Sequence, residues 1–218
     1  MTRPWAFAAG TLALAVVWLG PLPSLARHSF SAHMGMHMGV VALAAPLVAL
    51  GLAGGRWDPA RRVPGLFAPM AACVLELVVV WGWHAPGLHR TARAGGPALA
   101  LEQGSFLAVG LLLWLSAFGG AAEARRARAA PGVFGLLLTS MHMTLLGALL
   151  GLSTRPLYGH PLHQGFGLGP LADQHLGGAI MLLWGGAAYL AGGLALMVPL
   201  VRAGAAGAAG SPVRPGAP

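Results

Sequence analysis

The sequence predicts an all-α, polytopic transmembrane helix bundle of about six spanning helices with both termini cytoplasmic. Three observations carry that prediction. Of the 218 residues, 56% are hydrophobic and only 8% charged, against about 25% charged in soluble domains. Six segments reach the roughly 20 predominantly apolar residues that a helix needs to cross hydrocarbon, at about 4–22, 31–54, 65–83, 98–119, 132–152 and 174–199. The 13 basic residues, all arginine, divide unevenly between the two ends of those segments.

The first segment lies in "MTRPWAFAAGTLALAVVWLGPLPSLARHS". Its basic start, apolar core and "SLA" also fit a cleavable leader, but the apolar stretch is long for a signal core, so a retained helix is expected. The second begins with "FSAHMGMHMG" and continues through "APLVALG". The third holds Cys73 and Glu76 and ends in "WGWHAPGLHR". The fourth carries Glu102 near its outer end, the fifth carries His142 in "TSMHMTLLGALL", and the sixth opens with "LADQHLGGAIMLLW". Residues 1–200 therefore form the transmembrane domain. The remainder, 201–218, is a Gly/Ala/Pro-rich stretch expected to be a disordered cytoplasmic tail.

Orientation follows from arginine. Nine of them (Arg3, Arg56, Arg61, Arg62, Arg125, Arg126, Arg128, Arg202, Arg214) lie at the N-terminus, in the second-to-third and fourth-to-fifth connections and in the tail. Four (Arg27, Arg90, Arg93, Arg155) lie in the alternate connections. The positive-inside rule puts the first set in the cytoplasm. The formal net charge of +8 is thus a topology signal, and no basic stripe with interleaved aromatics points to nucleic acid. Trp18, Trp81 and Trp83 suit the outer interface and Trp5 and Trp57 the inner one. The 34 glycines offer small faces for close helix packing. Cys73 is the single cysteine, so an intramolecular disulfide and a C-x-x-C motif are both excluded. No nucleophile elbow, Walker loop or dinucleotide fingerprint occurs in a usable context.

The histidines were not used to orient the chain, and they sort by the same division. His28, His33, His37, His84, His89, His160, His163 and His175 all fall in outer loops or outer helix ends. His142 lies about ten residues from the outer end of its span, roughly 15 Å deep. His33 and His37, four apart, share one helix face and can address a common ion; Met34 and Met38 form a neighbouring stripe. Imidazole and thioether suit copper, thioether favouring the cuprous state. For an isolated H-x-x-x-H, ordinary packing is an equal competitor. Recurrence on other helices favours a site: His84, His142 beside Met141, and His175 after Asp173. An ionisable group in hydrocarbon needs the bundle interior and a partner. Glu76 and Glu102 are accompanying carboxylates with either a structural or a ligand-supporting role. His160 and His163 read as solvated loop residues.

The stretches "FSAHMGMHMG" with "APLVALG", "WGWHAPGLHR", "LEQGSFLAVGLLLW", "MHMTLLGALLGLSTRPLY" and "DQHLGGAIMLLW" occur in order over residues 28–190. In them the chain resembles the CtaG-type cytochrome c oxidase assembly factors of bacterial membranes. The resemblance implies a plasma (inner) membrane protein acting from its extracytoplasmic face in maturing a haem-copper oxidase, with oxidase subunits and the lipid bilayer as partners. Carried onto this sequence, it falls on His33, His37, His84, His142 and His175 as copper-site residues, accompanied by Glu76 and Glu102. Met34, Met38 and Met141 are auxiliary soft-ligand candidates read from the residues themselves, the methionines of "HMGMHMG" standing outside the shared pattern.

The expectation is a non-enzymatic protein whose outward-facing His/Met site binds copper and aids its delivery to the oxidase. The alternative is a membrane redox protein with b-type haem held by histidines on facing helices. A copper permease is a third reading, disfavoured by the dry inner halves of the spans.

Overall fold

The computed structural model describes residues 3–158 and 165–209, with side chains as far as Arg202; His160 and His163 lie outside the described residues, as does the tail beyond Ala209. Every regular element among the described residues is helical, as the composition requires: in hydrocarbon an open sheet edge would strand its peptide groups.

Helix α1 (Pro4–Leu19) starts on a proline at its first turn, where the missing N–H is no loss, and is followed by the short α2 (Leu22–Ala26). Helix α3 (Phe30–Leu52) is continuous through a π-helical turn at Gly39–Ala44. After the short α4 (Pro59–Arg62) come α5 (Pro69–Trp83) and α6 (Pro86–Arg93), bent from one another by 74°. Helices α7 (Pro97–Phe118) and α8 (Ala122–Gly151) follow. The last helix, α9, begins at Pro170, passes a second π turn at Met181–Gly185 and continues over Gly186–Ala209, past the boundary at 200 expected from hydropathy.

Four helices, α3, α7, α8 and α9, are long and apolar enough to cross a membrane, or five if the bent α5–α6 pair is counted as one span. Hydropathy predicted six. The difference lies in α1, whose 16 residues rise only about 24 Å, short of the roughly 30 Å hydrocarbon core; its apolar run goes on to Leu22, but the helix stops before Pro21.

Backbone approaches through glycine set the packing. A Cβ on Gly10 of α1 would stand 2.7 Å from the Val48 amide of α3, and one on Gly51 of α3 would stand 2.6 Å from the Phe7 amide of α1. Helices α8 and α9 cross in the same way, a Cβ on Gly178 falling 2.6 Å from the Gly151 amide. Such small-residue crossings replace the missing hydrophobic drive between helices in lipid with close van der Waals contact.

One end of the bundle is tied by Asp58. Its Oδ2 accepts the Gly54 and Gly120 amides at 2.7 Å each, and its Oδ1 accepts the Ala60 amide at 2.9 Å. Arg128 donates to the Phe67 and Gly119 carbonyls beside it. This is the arginine-rich end. The candidate site occupies the opposite one.

Candidate metal centre

The site begins with the way α3 starts. Ser29 caps the helix by accepting the Ala32 amide at 3.1 Å. The buried carboxylate of Asp173, from the first turn of α9, takes the Phe30 amide and the Ser29 and Ser31 hydroxyls. An anion at a helix N-terminus meets its unpaired N–H groups and the positive end of its dipole. This contact fixes the turn that presents His33, and one turn later His37; both are buried.

His33 Nε2 lies 3.0 Å from Glu102 Oε1 of α7; the second carboxylate oxygen accepts a hydrogen bond from Gln103 Nε2 at 3.1 Å. His89, from α6, completes the group. Ala85 is extended ahead of Pro86, as a residue preceding proline prefers, and the resulting bend folds α6 back over the bundle end. The His89 ring then stands 4.7 Å from that of His33. One ligand atom each from His33, His89 and Glu102 lies within 4.8 Å of the others, all three residues being buried. Ligands of one tetrahedral ion at about 2.0–2.1 Å stand roughly 3.4 Å apart, so the trio would have to close further to hold one. Among the described residues no other trio of His, Cys, Asp or Glu meets this spacing.

A second pair adjoins it. The His37 and His84 rings are 5.5 Å apart, and Phe106 packs 3.9 Å from His37. His84 Nδ1 is 2.7 Å from the Val80 carbonyl. A carbonyl only accepts, so Nδ1 carries the proton and Nε2 keeps its lone pair. That nitrogen is without a hydrogen-bond partner, as are both nitrogens of His37, Nδ1 of His33 and Nε2 of His89. Buried polar atoms are normally satisfied. Several unpartnered imidazole nitrogens therefore gather at one bundle end, where they can address a ligand.

The cluster is roofed by the connections at this end of the bundle. Tyr158 stacks on Phe30 and packs on His89. Burial pushes its hydroxyl up to about 12, so it remains a donor at neutral pH, to the His84 carbonyl at 2.6 Å. Arg93 binds the carbonyls of Ala26, Arg27 and Tyr158. Beside them an open cavity of about 170 Å³ reaches His89, giving the site an approach from the bundle end.

The structure thus gathers His33, His37, His84 and Glu102 from the expected set and adds His89. Sequence reasoning missed His89 because a straight continuation of the helix carries it into the loop; the Ala85–Pro86 step in "WGWHAPGLHR" was the available signal. The other expected residues stand elsewhere. His175 is half-buried with Nε2 2.8 Å from the Ser153 carbonyl. His142 is buried on α8 with both ring nitrogens unpartnered, but no hydrogen bond or ring contact joins it to the cluster. Met141 is 67% exposed on the outside of α8. Met38 directs its sulfur to Gly185 and Met34 lies against Gly177, so both fill glycine clefts of α9. Glu76 accepts the Tyr189 hydroxyl, which also stands 3.4 Å from the Val41 carbonyl in the π turn of α3.

A family model described as cytochrome c oxidase caa3 assembly factor matches residues 1–203. No curated protein and no solved structure matches the chain.

Proposed function

The chain belongs to the cytochrome c oxidase caa3 assembly factor family, and from that premise we propose that it holds copper at the His33–His89–Glu102 group and passes it to an oxidase subunit. The observation that carries this reading is the convergence of three buried ligand atoms within 4.8 Å. Copper is cargo here. Two imidazoles and a carboxylate suit a borderline cation, and the adjoining His37 and His84 nitrogens offer alternative ligands, so an ion can change partners one bond at a time. The arginine-rich end of the bundle faces the cytoplasm of a bacterial plasma membrane in this reading, and the cluster faces the opposite side. No substrate is turned over.

Ring spacing favours a bare ion over the alternative of b-type haem. The His33–His89 and His37–His84 rings pack at 4.7 and 5.5 Å, which leaves no slot for a macrocycle between either pair. Metal analysis of detergent-purified protein loaded with cupric ion tests the proposal. About one tightly held copper is expected, falling severalfold in His33→Ala, His89→Ala and Glu102→Gln, with a parallel loss of active oxidase in cells. Copper retention unchanged in all three variants would refute the assignment. A Soret band in the purified protein would replace it with the haem reading.

A further inference from the structure

A groove of about 1110 Å³ opens along the flank of the bundle at the end away from the histidines. It exceeds the roughly 300–1,000 Å³ of small-molecule pockets. Leu43, Leu47 and Leu50 of α3 form one wall, a small-residue face of α9 the other, and Trp114 of α7 contributes to the lining. It follows α3 from Ala42 to the helix end at Leu52 and on to Gly54, the helical part rising about 15 Å, half of the roughly 30 Å hydrocarbon thickness. That is the reach of one leaflet.

The arginine-rich end of the groove is charged. Arg3 and Arg125 line it and no Asp or Glu does. Arg125 is anchored by one donor on the Gly120 carbonyl at 2.8 Å, which orients its guanidinium and leaves the other N–H groups to a further acceptor. Trp5, an interfacial residue type, lines the same end. A one-leaflet apolar channel closed by two guanidiniums is complementary to a molecule with an acyl chain and an anionic phosphate head. Arginine pairs well with phosphate, and basic pockets between membrane helices take acidic headgroups.

We propose that this groove is a binding site for an anionic phospholipid, its phosphate held by Arg3 and Arg125 and an acyl chain lying along Leu43, Leu47 and Leu50. The site is separate from the histidine cluster and does not rest on the copper reading. A zwitterionic lipid carries a cationic group that the two arginines would repel.

Native mass spectrometry of the full chain in detergent, titrated with phosphatidylglycerol or phosphatidylcholine of identical chains, tests it. One phosphatidylglycerol is expected to be retained with roughly thirtyfold preference, the size expected of two arginines acting on one acidic headgroup. The preference should collapse towards unity in the double variant Arg3→Gln/Arg125→Gln. It should persist in Arg126→Gln, an exposed arginine outside the groove. Leu47→Trp, which keeps both arginines but fills the channel, should lose retention of both lipids, so the proposal stays testable if the double variant fails to fold. Equal retention of the two lipids by the unaltered chain, or a preference that survives the double variant, would overturn it. So would inorganic phosphate displacing phosphatidylglycerol at equal concentration, since the chain would then contribute nothing.

Discussion

Four donors converge on the carboxylate of Asp173: the Ser29 and Ser31 hydroxyls and the Phe30 and Ser31 amides. A buried acceptor with that many partners both caps α3 and sets the register of His33 and His37. Asp173→Asn keeps the size but replaces an acceptor oxygen with a donor NH2 group. Leaving buried donors unpaired costs about 1–3 kcal/mol, so thermal melting in detergent should show lowered stability and metal analysis a reduced copper content. Next to it Gln174 accepts the Leu157 amide at 2.6 Å and donates to the Leu150 carbonyl at 3.2 Å. In the stretch "DQH" the aspartate and the glutamine tie helix ends together, while the histidine bonds to the Ser153 carbonyl. The methionines of "HMGMHMG" show a similar shift of role. Met34→Leu and Met38→Leu conserve volume and should cost less than about 1.5 kcal/mol, with copper content unchanged. A loss of copper with retained folding would return the thioethers to the site.

Helices in this bundle meet where side chains are absent. The small-residue pattern of "LGGA" and "LLGALLG" announces close packing, yet which helix approaches which is visible only in the contact of Gly178 with Gly147 and Gly151. Gly178→Leu forces α8 and α9 apart. Overpacking typically costs about 1–3 kcal/mol, and the variant should melt earlier in detergent and accumulate poorly. The π turns at Gly39–Ala44 and Met181–Gly185 leave no comparable trace in periodicity, because one wide turn changes the helical phase only locally. The bend between α5 and α6 has a local cause, Pro86, but its direction does not. That direction brings His89 to His33.

At the scale of the whole molecule, the arginine-rich connections and the histidine cluster occupy opposite ends. Asp58, Arg125 and Arg128 tie the connections at one end, and Asp173, Arg93 and Tyr158 tie those at the other, beside the histidines. The orientation read from arginine predicts that Arg126→Cys, in a Cys73→Ala background, is labelled by an impermeant thiol reagent only after the membrane is opened, whereas Arg90→Cys is labelled in intact spheroplasts. Both positions are exposed, and native Cys73 is buried. The reverse pattern would invert the protein and move the cluster to the cytoplasmic side.

Composition and hydropathy by themselves determined an all-helical membrane bundle, because apolar length and the need to satisfy backbone groups in lipid leave few alternatives. They also marked His33, His37, His84 and Glu102, since an ionisable residue in an apolar span is conspicuous in any register. The number of helices long enough to span was decided by where prolines stop them. Only the tertiary structure shows which histidines stand together: His89 packs on His33, whereas His175 bonds to the Ser153 carbonyl. The physical reason is that ligation depends on distances of a few ångströms between residues far apart in the chain, and those distances are set by glycine crossings, a proline bend and one buried carboxylate.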